Sequence, residues 1–377
     1  MKKEKSQNTE GELCVKRKLP LVSKIFFAIC ALSAVFYVIF IFSKGFADFF
    51  NRYISSIIRA VLAYATSWIP FSLAEFLLIL SPVIIVAVIY VGAKKYSSCW
   101  RDVFVYCGSL LSALALVLSL FVMGFAPAYR GTTLDEKLGI ERRDVSSEEL
   151  YLTAEILSSK IDEEYTSIYY NGITDFSVMP YDYGEMNKKL LDAYDKACDK
   201  YPFVQRLRSR IKPVMLSEPM SYTHITGIYS FFTGEANINI NFPDYTIPFT
   251  AAHELAHQRG IAREDEANFM AFLVCIESDD AYIRYSGYTQ LYEYVAASLS
   301  GADREAYIES WNSLPEPVAR EMIAFGNFFK KYQHSTASKV TDKVNDKFLT
   351  SQGTAGTRSY GMVVDLAVAY YLPKTEQ

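Results

Sequence analysis

Residues 249–275 read FTAAHELAHQRGIAREDEANFMAFLVC, and this stretch decides the fold of the larger part of the chain. His253 and His257 stand four apart, so on a helix they differ by about 40° of rotation and one turn of rise, and both imidazoles point the same way. That geometry offers two nitrogen ligands to one tetrahedral zinc ion. Glu254 lies beside them, where its carboxylate can act as general base on a water activated by the metal without binding the metal itself. Pro248 suits a first helical turn, and Gly260, three residues past His257, suits a left-handed cap that turns the chain back.

The four-residue spacing alone also describes two ordinary helix histidines beside a surface glutamate. The residues after Gly260 strengthen the metal reading. Glu264, Ala267, Asn268, Ala271 and Cys275 share one face of a second helix, and that face is small except for one carboxylate and one amide. Small residues allow close approach to the first helix, which makes Glu264 the expected third ligand and Glu266 the reserve. Asn268 is expected one shell out, hydrogen-bonded to a ligand imidazole. Asp265 reads as a solvated acid in a first turn.

Outward from this core, the composition divides. The chain has 377 residues, 51% hydrophobic and 21% charged, with a formal net charge of −4. Its mean hydropathy is +0.08 and its pI about 5.7. Such values exclude a disordered chain and a general nucleic-acid binder. The apolar excess lies before residue 130. Apolar stretches at about 25–43, 74–93 and 103–127, uncharged except for Glu75 at the start of the second, each suffice to cross roughly 30 Å of hydrocarbon. Pro82 in the second is tolerated where neighbouring helices satisfy the carbonyl it frees. The first stretch is longer than the apolar core of a signal peptide and lacks a clean cleavage site, so it reads as a retained anchor. Residues 46–69, interrupted by Arg52 and Arg59, read as an interfacial amphipathic helix, with a fourth span the alternative. Basic residues on the 1–20 tail (Lys2, Lys3, Lys5, Lys16, Arg17, Lys18) and Lys94, Lys95 and Arg101 between the second and third stretches point both regions to the cytoplasm. Residues 131–377 are then an extracytoplasmic domain on a 21–130 membrane unit, and the lipid bilayer is an expected partner.

In that domain, helical periodicity fills 146–163, 185–200, 280–299, 302–312, 315–332 and about 360–371, with Ser146 and Glu149 forming a capping box. GIYSFFTGEANININ at 227–241 alternates as two strands around a Thr233-Gly234 turn. It suits either an edge strand that binds extended substrate or a plain hairpin. His334 lies in a polar loop. Of six cysteines, Cys14, Cys30, Cys99 and Cys107 precede this domain; Cys198 and Cys275 read as free thiols. His224, Tyr285, Tyr288, Tyr292, Arg358 and Tyr360 are candidate donors to a developing oxyanion, and residue type alone does not choose among them.

The motif HExxH followed by a helix bearing E-x-x-A-N resembles the gluzincin side of the zincin metallopeptidases. HELAHQRGIAREDEANFMAFL, with FFTGEANIN, SGYTQLYEY and RSYGMVVDLAVAYY around it, resembles more closely the uncharacterised bacterial membrane family termed domain-of-unknown-function family 3810. The resemblance implies a mainly helical, α+β zincin-like metallopeptidase domain with a small edge sheet, on three transmembrane helices in a bacterial cell membrane. It implies Zn2+ on His253 and His257, Glu254 as base and Glu264 as third ligand, and it implies no substrate. One departure stands out: the His257-to-Glu264 connection is far shorter than in thermolysin-type enzymes and nearer the metzincin spacing, whose ligand position here is Arg263, which cannot bind zinc. The expected function is a membrane-anchored zinc metallopeptidase. The alternatives are a zinc-binding sensor or assembly factor without catalysis, and a zinc hydrolase of cell-envelope substrates. Substrate and oligomeric state are not legible.

Overall fold

The computed structural model describes residues 17–97 and 99–373; the tail residues Lys2, Lys3, Lys5, Lys16 and Cys14 lie outside them. Helix α1 (Leu21–Phe42) is the first of three helices long and apolar enough to cross a membrane. A short link leads to α2 (Lys44–Phe50), a π-helical turn at Asn51–Ser55 and α3 (Ser56–Ser67). The other two long apolar helices follow as α4 (Leu73–Lys95) and α5 (Trp100–Gly124). Their limits match the expected stretches within a few residues.

α1 and α5 pack along one another, with Ser33 donating to Ser119 at 3.3 Å between them. α4 stands apart, with no residue of its apolar stretch buried. Glu235 accepts from the backbone N–H groups of Leu73 and Ala74 at its outer end, and near the other end Tyr106 of α5 donates to the Val88 carbonyl at 2.7 Å.

The 46–69 segment is amphipathic as expected, but its arginine has a different destination. Phe49, Tyr53, Ile57, Val61, Tyr64 and Trp68 form an exposed apolar stripe. Ala47, Phe50, Arg59, Ala63 and Thr66 occupy the opposite, buried face. Arg59 does not reach headgroups. Its guanidinium is buried under the domain that follows α5 and donates to Asn51 Oδ1 and to the Gly124 carbonyl, both at 2.8 Å. A cation so enclosed needs several acceptors, and the freed carbonyl at the end of α5 supplies one.

Beyond a 3-10 turn at Ala126–Tyr129 lies a mostly helical domain: α6 (Leu134–Leu138), α7 (Ser147–Tyr165), α8 (Tyr183–Lys200) and α9 (Ser217–Ser221). The Ser146–Glu149 capping box is formed. A three-stranded sheet comprises β1 (Lys212–Pro213), β2 (Gly227–Ser230) and β3 (Glu235–Ile238) in the order β1-β3-β2. β1 runs parallel and β2 antiparallel to β3, so β2 is an edge. The chain continues through α10 (Ile247–Gln258), α11 (Glu264–Ile276), α12 (Ala281–Ala302), α13 (Arg304–Ser313), α14 (Glu316–Phe329), α15 (Thr336–Ser351) and α16 (Val363–Tyr371). α10 and α11 are buried along nearly their whole length, enclosed by α8, α12, α16 and the sheet. Cys198 and Cys275 are free thiols.

Candidate metal centre

α10 begins with Pro248 in its first turn, as expected. Its end carries more of the site than the sequence suggests. Gly260 has φ +85°, and the turn it makes joins the Gly260 N–H to the His257 carbonyl and the Ile261 N–H to the Ala256 carbonyl. That reversal brings the Ile261 carbonyl to 2.8 Å from His257 Nδ1. Nδ1–H donates to it, so Nε2 is the nitrogen left for a metal. The same turn rests on the membrane unit, because Asn51 Nδ2 donates to the Gly260 carbonyl at 3.1 Å and Arg59 packs against Gly260.

α11 starts at once, and Glu264 in its first turn points back at α10. Glu264 Oε2 lies 3.2 Å from His253 Nε2 and 3.3 Å from His257 Nε2. Three ligands on a tetrahedral zinc with bonds of about 2.0–2.1 Å stand roughly 3.3 Å apart. The observed spacings match that edge, and the three side chains form a buried group whose ligand atoms lie within 4.8 Å of one another. Two imidazoles and one carboxylate are a hydrolytic zinc donor set. Burial pushes the Glu264 carboxyl up, yet His257 and His253 hold it at about 2. Burial pulls the His257 imidazolium down, and Glu264 with the Ile261 carbonyl carries it to about 9.

Glu254 is buried beside this group, and burial pushes its carboxyl up to about 6 against the pull of the two imidazoles. It accepts from the Tyr229 N–H of β2, while Oε2 has no protein partner. Gly227 of the same strand lets it sit there: a Cβ at 227 would stand 2.5 Å from Glu254 Oε1. Since the Asn239 N–H donates to the Thr226 carbonyl, the antiparallel alternation turns the backbone groups of Gly227 and Tyr229 outward, along the edge beside Glu254.

Other expected residues fall differently. Asn268 lines the cavity but meets no imidazole; its amide donates to Tyr294 Oη and the Tyr360 carbonyl, both at 3.3 Å. The Ile261 carbonyl takes the role expected of Asn268, because the Gly260 turn delivers it closer. Glu266 is not a ligand. It turns away to accept from the Leu134 N–H and from Arg263, which also donates to the Tyr129 carbonyl. Of the oxyanion candidates, His224 and Tyr360 line the cavity. His224 Nε2 is already paired with the Tyr332 carbonyl at 2.9 Å. Tyr285 is bound to Glu321, Tyr292 to Ser310, Tyr288 packs on Phe272, and Arg358 is exposed. His334 is exposed.

The cavity has a volume of about 820 Å³. Four contributors to its walls were not expected. Tyr129, from the turn after α5, and Tyr294, from α12, flank Glu264, and burial raises both phenols. Phe125 from the end of α5 sets its ring edge-on to His257 at 6.0 Å. α15 forms the outer wall with Val340, Val344, Asn345 and Phe348. The one available sequence signal was that Tyr294 and Tyr360 lie in the flanking stretches SGYTQLYEY and RSYG; Tyr129 and α15 had none.

Residues 50–368 match the family described as Protein of unknown function (DUF3810). No curated protein and no solved structure matches the chain. The chain belongs to the DUF3810 family.

Proposed function

We propose that this DUF3810 member is a membrane-anchored zinc metallopeptidase whose catalytic domain lies outside the cytoplasm. One observation carries the reading: His253, His257 and Glu264 converge at zinc-ligand spacing with Glu254 and an open strand edge beside them. Zinc bound there supplies Lewis acidity, lowering the pKa of a coordinated water and polarising a carbonyl. The chain's own residues do the rest. Glu254 takes a proton at Oε2, the oxygen with no other partner, and returns it to the departing amine. The Tyr229 N–H holds the other oxygen and fixes the carboxylate's aim. The Gly227 main chain and the Tyr229 carbonyl are offered to an extended peptide, which favours a polypeptide over other acyl substrates. Tyr360 stands on the cavity wall as a hydroxyl donor to the developing oxyanion.

A closed structural site needs a fourth protein ligand. The two candidates, Glu266 and His224, are engaged with Leu134 and Tyr332 respectively, which weighs against it. The outward placement rests on Lys94 and Lys95 in the last turn of α4 and Arg101 in the first turn of α5, on the side opposite the domain. Full-length protein carrying Glu254→Gln tests the mechanism. Zinc content should stay at the wild-type level while peptide hydrolysis falls by about 10²–10⁴-fold. Hydrolysis at the wild-type rate would refute it.

A further inference from the structure

The cavity mouth is apolar where it meets the membrane unit. Phe121 stands three residues before the end of α5, so at 1.5 Å per residue it lies about 5 Å inside that helix. Its ring meets Phe231 of the hairpin tip at 5.3 Å and Phe348 of α15 at 5.7 Å. The outer end of a long apolar helix, the β2–β3 hairpin and the outer wall of the site thus share one contact. From there α15 carries an apolar row at four-residue spacing. Val340, Val344 and Phe348 are 58%, 64% and 39% exposed, and all three line the cavity. Across the mouth, Ile228 on the edge strand is 49% exposed.

A second marker sets the level of the bilayer. Most of the stripe from Phe49 to Trp68 faces away from the outer domain, Tyr64 alone accepting from the Arg208 N–H at 3.4 Å, while the opposite face of the same helix carries the hairpin turn: Thr66 Oγ1 donates to the Thr233 carbonyl at 3.2 Å. The hairpin therefore sits directly on a helix whose other side suits lipid. α15 is tied to the same level, since Arg130 reaches both the Ser351 carbonyl and Tyr37 of α1, at 3.3 and 3.5 Å.

We infer that the substrate is a polypeptide segment tethered to the bilayer, drawn in extended form from the membrane surface between β2 and α15, with the Val340–Val344–Phe348 row in contact with lipid. The inference rests on the peptidase reading and names its substrate class. An apolar side chain passing from lipid into this mouth never enters water, so drawing the segment out of the bilayer exposes no apolar surface on the way. The Gly227 and Tyr229 edge then holds main chain irrespective of sequence. Tethering also confines the segment to the plane in which the mouth lies, raising its effective concentration.

The test uses the full-length, zinc-loaded chain in phosphatidylcholine vesicles. Two substrate pools carry the same randomised segment of about a dozen residues, one soluble and one fused just outside a Leu/Ala transmembrane helix. The tethered pool should be cut at least tenfold faster at equal bulk concentration, and Val344→Asp should move that ratio towards one. Equal rates for the two pools in the wild type would overturn the inference and leave the peptidase reading standing. Cleavage of neither pool would overturn the peptidase reading and the inference with it. Lipid contact is read without activity: in vesicles of diazirine-tailed phosphatidylcholine, illumination should label residues 336–351 along with α1, α4 and α5. Labelling confined to those three helices would overturn the placement of α15.

Discussion

Every side chain of α10 from Ile247 to Gln258 is buried, whereas α15, across the same cavity, buries only Ser338 and Leu349. The first wall carries the proposed ligands His253 and His257 and the proposed base Glu254. It is clamped on one side by α11, α12 and the sheet and below by Asn51 and Arg59. The second wall packs mainly on the turn at Gly356–Met362. The difference follows from the chemistry asked of each. Ligands must keep their spacing to tenths of an ångström, so they sit where close packing permits no drift. A mouth that admits a chain must give way, and local stability is accordingly low where few apolar contacts are made.

The contrast can be broken by mutation. Leu255→Ala, in the dense wall, should cost about 2–5 kcal/mol, read as a loss of thermal stability in detergent. A cost under about 1 kcal/mol would mean that α10 is not the rigid element described. Gly227→Ala is next. Its Cβ would meet Glu254 Oε1, so turnover should fall about 10–100-fold with zinc retained, because a shift of about 1 Å in a catalytic group costs that much. Unchanged kcat would separate the edge strand from the base.

A pH effect of intermediate size comes from Glu293, half-buried near the same cavity, where burial pushes the carboxyl up to about 7 against hydrogen bonds from Tyr245 and Gln290. A carboxyl raised in the folded state favours folding below its unfolded pKa, and that contribution is lost as pH rises through about 7. Melting temperature should therefore decline from about pH 4.5 to about pH 7 by the equivalent of roughly 1–2 kcal/mol after screening, and Glu293→Gln should flatten this segment of the curve. An identical slope in the variant would assign the decline to other groups. The smallest effect belongs to the loose wall: Val344→Ser should change stability by less than about 0.5 kcal/mol, and a larger loss would show that α15 is packed more firmly than its exposure indicates.

The two walls also differ in how they read from sequence. Both histidines, Glu254 and Glu264 are placed by helical spacing and a six-residue connection, which are local properties, and the Gly260 cap is local as well. The three long apolar helices are legible for the same reason, since an uncharged run of that length has few alternatives. α15 is not legible. TASKVTDKVNDKFLTS is mostly polar, and its three apolar residues at four-residue spacing face a mouth rather than a core, so the pattern that marks buried helices is weak. For Arg59 and Asn268 the sequence indicates the helix but not the partner. The acceptors of Arg59 lie at Asn51 and Gly124, and those of Asn268 on α12 and at Tyr360, and nothing local announces contacts across such separations.

The central claim is that two imidazoles and one carboxylate hold zinc with one coordination position open to the cavity. X-ray absorption spectroscopy on the zinc-loaded full-length protein, with Glu264→Ala alongside, tests it most directly. The expected result is one zinc per chain with two imidazole nitrogens and two oxygens at about 2.0–2.2 Å, and loss of one oxygen together with weakened zinc retention in the variant. A wild-type site holding a third imidazole or a sulfur ligand, or zinc bound with the same shell and affinity in Glu264→Ala, would contradict it.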